Sequence, residues 1–132
     1  AKKKEIDVIS FSSQKKADVF LKSIKNFKNY FELKIIVKNE VYDFKTTYAT
    51  ENFVENFLAC ITTLYVLNLD LNLLKEKFVK FTLPSGRGDI KLVKNFKKKF
   101  KLIDESYNAN PLSMKSAIQN MNSYKRNNNE KI

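Results

Sequence analysis

Histidine and tryptophan are both absent from this 132-residue chain, cysteine occurs once, and glycine and proline occur twice each. Each shortage excludes something. Without His there is no His general base, no Ser–His or Cys–His nucleophile pair, and almost no route to a zinc site. A lone Cys60 can form no internal disulfide, which points to a reducing compartment and hence the cytoplasm. Two glycines are too few to build a Gly-rich phosphate loop. No apolar run approaches the ~20 residues that span a bilayer. The start, Ala1-Lys2-Lys3-Lys4-Glu5, is basic, but no h-region follows it, which argues against a signal peptide. The chain also opens without Met and reads as an excised piece of something longer.

What is present is bulk and positive charge. Hydrophobic residues make up 43% of the chain, and eleven Phe and six Tyr supply enough volume for a real core. The formal charge is +11, yet Arg87 and Arg126 are the only arginines. Nucleic-acid binders mix in Arg, which forks onto phosphate and guanine as Lys cannot. Lysine spread along the whole chain beside abundant Asn and Ile suits an AT-rich coding bias as well as a binding surface. A basic nucleic-acid module and a noncatalytic interaction domain are therefore the rival readings, and the preferred reading involves no nucleic acid and no membrane.

The pattern is that of an α/β protein. Ile6 to Phe11 carries apolar residues on both faces, as in a strand of a covered parallel sheet. Residues 31–37 and 41–46 alternate as an antiparallel hairpin, and a strand around residues 19–27 extends it to three. Between residues 52 and 67, Val54, Phe57, Leu58, Ile61 and Tyr65 form one helical stripe. Asp70 is placed to cap a second helix carrying Leu71, Leu74 and Phe78. After the break at Pro84 to Asp89, residues 90–93 and 99–103 read as strands joined by a basic turn at 95–98. Asn110 followed by Pro111 marks a helix start. Met114, Ala117, Ile118 and Met121 then repeat at helical spacing, as a core-facing stripe would. Residues 125–131 read as a frayed tail.

Three places carry polar chemistry. Asp104 ends an apolar strand, where a carboxylate is placed for a ribose hydroxyl, a cation or a turn, and Ser106, Tyr107, Asn108 and Asn110 crowd the loop behind it. Gly86-Arg87-Gly88 puts an Arg, suited to phosphate, between two residues that permit close backbone approach. The same tripeptide also suits an ordinary turn. Asn56 lies between Val54 and Phe57, beside the apolar stripe. From there its amide can read an adenine edge or bond the neighbouring backbone.

These three occur in an order that resembles the Mur ligases of peptidoglycan synthesis. The string Asp104-Glu105-Ser106-Tyr107-Asn108-Ala109-Asn110-Pro111-Leu112-Ser113-Met114 matches a signature of the branch that adds D-alanyl-D-alanine to UDP-N-acetylmuramoyl-tripeptide. Asn56-Phe57-Leu58-Ala59 is similar to the family's Asn-Ala-Leu-Ala helix, and Val8-Ile9-Ser10-Phe11 and Ala17-Asp18-Val19 also follow its pattern. The resemblance implies a partial central domain of parallel strands, a small antiparallel sheet and helices. Residues 1–103 would be the second half of the ATP-binding central domain and 104–110 an interdomain hinge. Residues 111–132 would be the first helix of a Rossmann-like C-terminal domain, with its tail. It further implies ATP and Mg²⁺ in the full-length parent, phosphorylation of the tripeptide carboxylate, and attack by the amine of D-alanyl-D-alanine. Asn56 would contact adenine, Arg87 the phosphates and Asp104 the ribose, with Ser106, Tyr107, Asn108 and Asn110 in the hinge. The family's phosphate loop, carbamoylated Lys and metal-holding Glu and His have no counterpart in this chain. Where the Asn helix usually begins with a His, the chain has Glu51-Asn52-Phe53. No catalytic residue and no metal ligand are therefore expected here, and the chain alone is expected to hold no cofactor.

Overall fold

A computed structural model describes residues 7–94 and 99–123 of the chain. The chain divides into two compact units, Ala1–Phe81 and Thr82–Ile132. The basic turn at 95–98, the tail at 125–131 and the basic start at 1–5 lie outside the described residues.

The first unit is a four-stranded sheet in the order β1 (Phe11–Ser12), β2 (Val19–Asn26), β3 (Phe31–Val37), β4 (Glu40–Thr46), backed by helix α1 (Glu51–Val66). The expected hairpin is present as β3–β4, antiparallel, with Val37 opposite Glu40 across a two-residue turn. Strand β2 joins it antiparallel, with an irregularity between Leu21 and Ser23. That extra residue changes the alternation, so that Ile24 rather than Ser23 stands opposite Leu33. The inward residues Leu33, Ile35, Val37 and Phe44 meet Val54, Phe57, Leu58 and Ile61 of α1 in a single buried core. Thr50 caps the helix by accepting from the Phe53 N–H. Asn68, at φ 56°, ends it. The Asn68 and Leu69 N–H groups close back onto the Tyr65 and Leu64 carbonyls.

Two expectations fail here for local reasons. Ile6 lies outside the described residues, and of the strand expected at 6–11 the described part is Phe11–Ser12, paired in parallel with Val19 and Phe20 at the edge of the sheet. Ile9 packs on the core but Val8 is 80% exposed. The Ser10 N–H is taken by the Asp18 carboxylate instead of a ladder. The helix expected after Asp70 is two short 3₁₀ turns, Leu71–Leu74 and Lys77–Lys80. Asp70 does cap the first, accepting from Asn72 N–H at 2.9 Å. A continuous α-helix would give the Lys75 carbonyl to Val79 N–H. Here Lys75 O accepts from Lys45 N–H of β4 at 3.0 Å, and Val79 O accepts from the Thr47 hydroxyl at 2.8 Å. Docking to the sheet outcompetes the regular helix.

The second unit has an antiparallel two-stranded ribbon, β5 (Asp89–Val93) and β6 (Phe100–Asp104), and helix α2 (Pro111–Ser123). Its Asn110 start is as expected. Ser113 N–H donates to Asn110 Oδ1 at 2.9 Å and Asn110 N–H donates to Ser113 Oγ at 3.0 Å, a reciprocal cap. The stripe after it is not a core face in this chain. None of its residues is buried: Met114 is 46% exposed and Ile118 54%, and Ala117 and Met121 are half-buried.

Candidate functional site

The Gly-Arg-Gly turn and the 104–110 loop meet in the second unit because the ribbon closes there, with Asp89 directly opposite Asp104. The backbone then ties the two segments twice. Gly88 N–H donates to the Asp104 carbonyl at 2.7 Å, and Tyr107 N–H donates to the Gly86 carbonyl at 3.0 Å. Gly86 N–H is taken by Asp89 Oδ1 at 2.8 Å, which folds the turn on itself. Glycine is required at 86. Its φ is +79°, and a Cβ there would stand 2.9 Å from the Tyr107 nitrogen.

Side chains complete the clasp. The Arg87 guanidinium lies 4.0 Å above the Tyr107 ring. Asp104 Oδ1 accepts from the Ser106 hydroxyl at 2.6 Å and from the Ser106 N–H at 3.1 Å. Asp104 Oδ2 takes Lys91 Nζ at 3.1 Å, and the same ammonium lies 3.1 Å from Asp89 Oδ2. The Ser106 hydroxyl first, then Lys91 and the Ser106 N–H, hold the Asp104 carboxyl down at about 2. The Gly86 N–H and Lys91 lower Asp89 as well, while the two carboxylates hold the Lys91 ammonium above its ordinary value. Asp104 thus stays an anion, with both oxygens already accepting hydrogen bonds.

For Asn56 it is the expected place beside the apolar stripe that the structure corrects. Asn56 lies in the first unit, on α1, and is exposed. At ~100° per residue, a position two after Val54 lies about 200° around the helix, opposite the buried stripe rather than beside it. Within the second unit the candidates that come together are Arg87, Asp104, Ser106 and Tyr107. Asn110 serves the start of α2, and Asn108 belongs to the loop between. Asp89 and Lys91 were missed by the sequence reading. Their two-residue spacing in a strand puts both on one face, with Asp89 opposite the already suspected Asp104, and that spacing was the available signal. Among the described residues no group of three or more His, Cys, Asp or Glu could hold a metal ion. No helix among them is long and apolar enough to cross a membrane.

No family model matches the chain. A curated relative, the UDP-N-acetylmuramoyl-tripeptide–D-alanyl-D-alanine ligase of Rickettsia prowazekii, is 25% identical over 113 residues, covering 86% of this chain and 24% of the relative. Among solved structures, MurF from Acinetobacter baumannii superposes with a TM-score of 0.69 at 23% identity, over 89% of this chain and 24% of that one. The MurF ligase from Thermotoga maritima in complex with ADP does so with a TM-score of 0.64 at 17% identity, over 84% of this chain and 25% of that one. The chain thus spans about a quarter of the length of the relatives it matches. In fold and in sequence it is similar to a single segment of the MurF-type Mur ligases.

Proposed function

We propose that this chain is a segment of a cytoplasmic bacterial ligase that uses ATP to join D-alanyl-D-alanine to UDP-N-acetylmuramoyl-tripeptide in peptidoglycan synthesis. The observation that carries the reading is the meeting of Gly86-Arg87-Gly88 with the Asp104–Asn110 string, two parts of the Mur pattern separated in sequence, across the Gly88–Asp104 and Tyr107–Gly86 hydrogen bonds. Residues 1–103 then belong to the late central domain, 104–110 to the hinge, and 111–132 to the start of the C-terminal domain.

The donor set at the clasp fits a nucleotide and does not fit a metal. Arg87 offers planar N–H donors, and among the described residues it has no carboxylate partner that would compete with a phosphate. Asp104, kept ionised, accepts a ribose hydroxyl through lone pairs that its present partners leave over. Asn56 presents its amide at the exposed surface of α1 for an adenine edge. For Mg²⁺ the described residues offer no cluster of three or more ligating side chains. ATP, when bound, supplies the phosphoryl group that activates the acceptor carboxylate. This chain's own part is to grip the nucleotide and to link that grip to the hinge.

The test is a graft. Residues 7–123 replace the corresponding quarter of the Rickettsia prowazekii ligase, and phosphate release is followed with both peptidoglycan substrates present. The chimera should turn over, and Arg87→Ala in it should lower kcat/KM at least tenfold. A chimera that melts cooperatively yet releases no phosphate would remove the reading. Titrated alone with ATP and Mg²⁺, the chain should bind weakly or not at all, and sub-micromolar affinity would mark a complete site of another kind.

A further inference from the structure

Arg87 has an aromatic partner and, among the described residues, no acidic one. Its guanidinium carbon stands 4.0 Å from the Tyr107 ring centroid. Asp89 lies two residues on and Asp104 is brought near by the Gly88 hydrogen bond, but both turn to Lys91. Tyr107 is 63% exposed and Arg87 is exposed too, so a ligand can reach the pair. The backbone that carries the ring is fixed. The Tyr107 N–H donates to the Gly86 carbonyl, one residue before Arg87, and Gly88 on the other side donates to the Asp104 carbonyl. The backbones under platform and cation are thus held in register.

A guanidinium seated on a ring face keeps its in-plane N–H donors available and loses little rotamer freedom when an oxyanion arrives. We propose that Tyr107 is a positioning residue for anion capture: its ring holds the Arg87 guanidinium ready to fork onto a phosphate oxyanion. This rests on the reading of Arg87 as the phosphate contact and adds a consequence to it. Tyr107 belongs to the 104–110 loop, so a phosphate that engages Arg87 also bears on the hinge. By linkage, whatever moves the loop changes the grip on the phosphate.

The test uses the whole chain and its two arginines, which give only two Nε–Hε signals by NMR, one of them assigned through Arg87→Lys. In the free protein the Arg87 Hε should be shifted upfield by the ring current, an effect kept in Tyr107→Phe and lost in Tyr107→Leu. Inorganic tripolyphosphate, and separately ADP, titrated into the tens of millimolar should move that signal saturably. Tyr107→Leu should raise the apparent Kd about two- to five-fold, and Tyr107→Phe should leave it unchanged. The proposal is overturned if Tyr107→Leu loses the ring-current shift but binds tripolyphosphate as tightly as the parent chain. It is overturned equally if neither anion moves the Arg87 signal. ADP that shifts other resonances but not Arg87 would sink the proposal and spare the nucleotide reading. Tripolyphosphate acting through Arg87, with ADP no better than the bare anion, would support the proposal and count against the nucleotide reading.

Discussion

A side chain on Gly86 would have to share space with the backbone of Tyr107, whose nitrogen lies 2.9 Å from the position of an ideal Cβ. Gly88 is different. It also has a positive φ, +83°, but its Cβ would meet the Glu105 carboxylate at 3.1 Å, the far end of a side chain that can move.

That contrast sets the first prediction. Gly86→Ala should cost about 1–3 kcal/mol through left-handed strain and the displaced loop, and Gly88→Ala should cost less. Urea unfolding gives the order. Hydrogen exchange at the Tyr107 amide should lose protection in Gly86→Ala and keep it in Gly88→Ala. Equal effects would mean that the turn does not abut the loop backbone.

The second prediction concerns Asp104, whose carboxyl is held at about 2. A folded-state value below the ordinary ~3.9 of an Asp contributes stability that is complete above the unfolded value. It is lost as pH falls through the folded one. The stabilising contribution of this group should therefore fade between roughly pH 4 and pH 2. Carbon-detected NMR titration of the carboxyl should show the low midpoint. Ser106→Ala should raise that midpoint most, since the Ser106 hydroxyl is the largest cause, with Lys91→Met next. A midpoint unmoved by Ser106→Ala would show that the hydroxyl does not donate to this carboxylate.

Much of this was legible in the sequence, and the failures have physical causes. The β3–β4 hairpin, α1 and the Asn110 start of α2 were readable because alternation, a five-residue stripe and an Asn-Pro pair each report local structure directly. The 3₁₀ turns after Asp70 were not, because the carbonyls of Lys75 and Val79 are claimed by β4 and the residue after it, residues distant in sequence. At the site, the residue types were visible while their arrangement was not. The Arg87–Tyr107 stack and the Asp89–Lys91–Asp104 bridge depend on a strand register that no single segment announces. The exposed place of Asn56 on α1 was not legible from its sequence neighbours, because two residues along a helix turn about 200° around it.

The third prediction separates a real core from a bare stripe. Leu58 is fully buried between α1 and the sheet, so Leu58→Ala should cost about 2–5 kcal/mol. Ile118 belongs to an equally regular helical stripe but is 54% exposed, so Ile118→Ala should stay within about 0.5 kcal/mol. Thermal or urea melts of the two variants give the comparison directly. A large loss in Ile118→Ala would show that the α2 stripe is covered in solution.

The last prediction bears on the charge of +11. On the sheet of the first unit, three lysines have acidic partners. Lys34 pairs with Asp43 at 3.3 Å and Lys45 with Glu76 at 2.8 Å, while Lys25 stands 3.8 Å from Glu32. Paired lysines add little to counterion displacement, and the excess behind the net charge is almost all Lys spread along the chain, which lacks the fork that Arg offers a phosphate. Fluorescence anisotropy with a single-stranded oligonucleotide should show binding only at low salt, gone by physiological ionic strength. Lys34→Ala and Lys45→Ala should leave even that residual binding nearly unchanged. Tight binding at physiological salt, weakened by either substitution, would restore a nucleic-acid surface and displace the ligase reading.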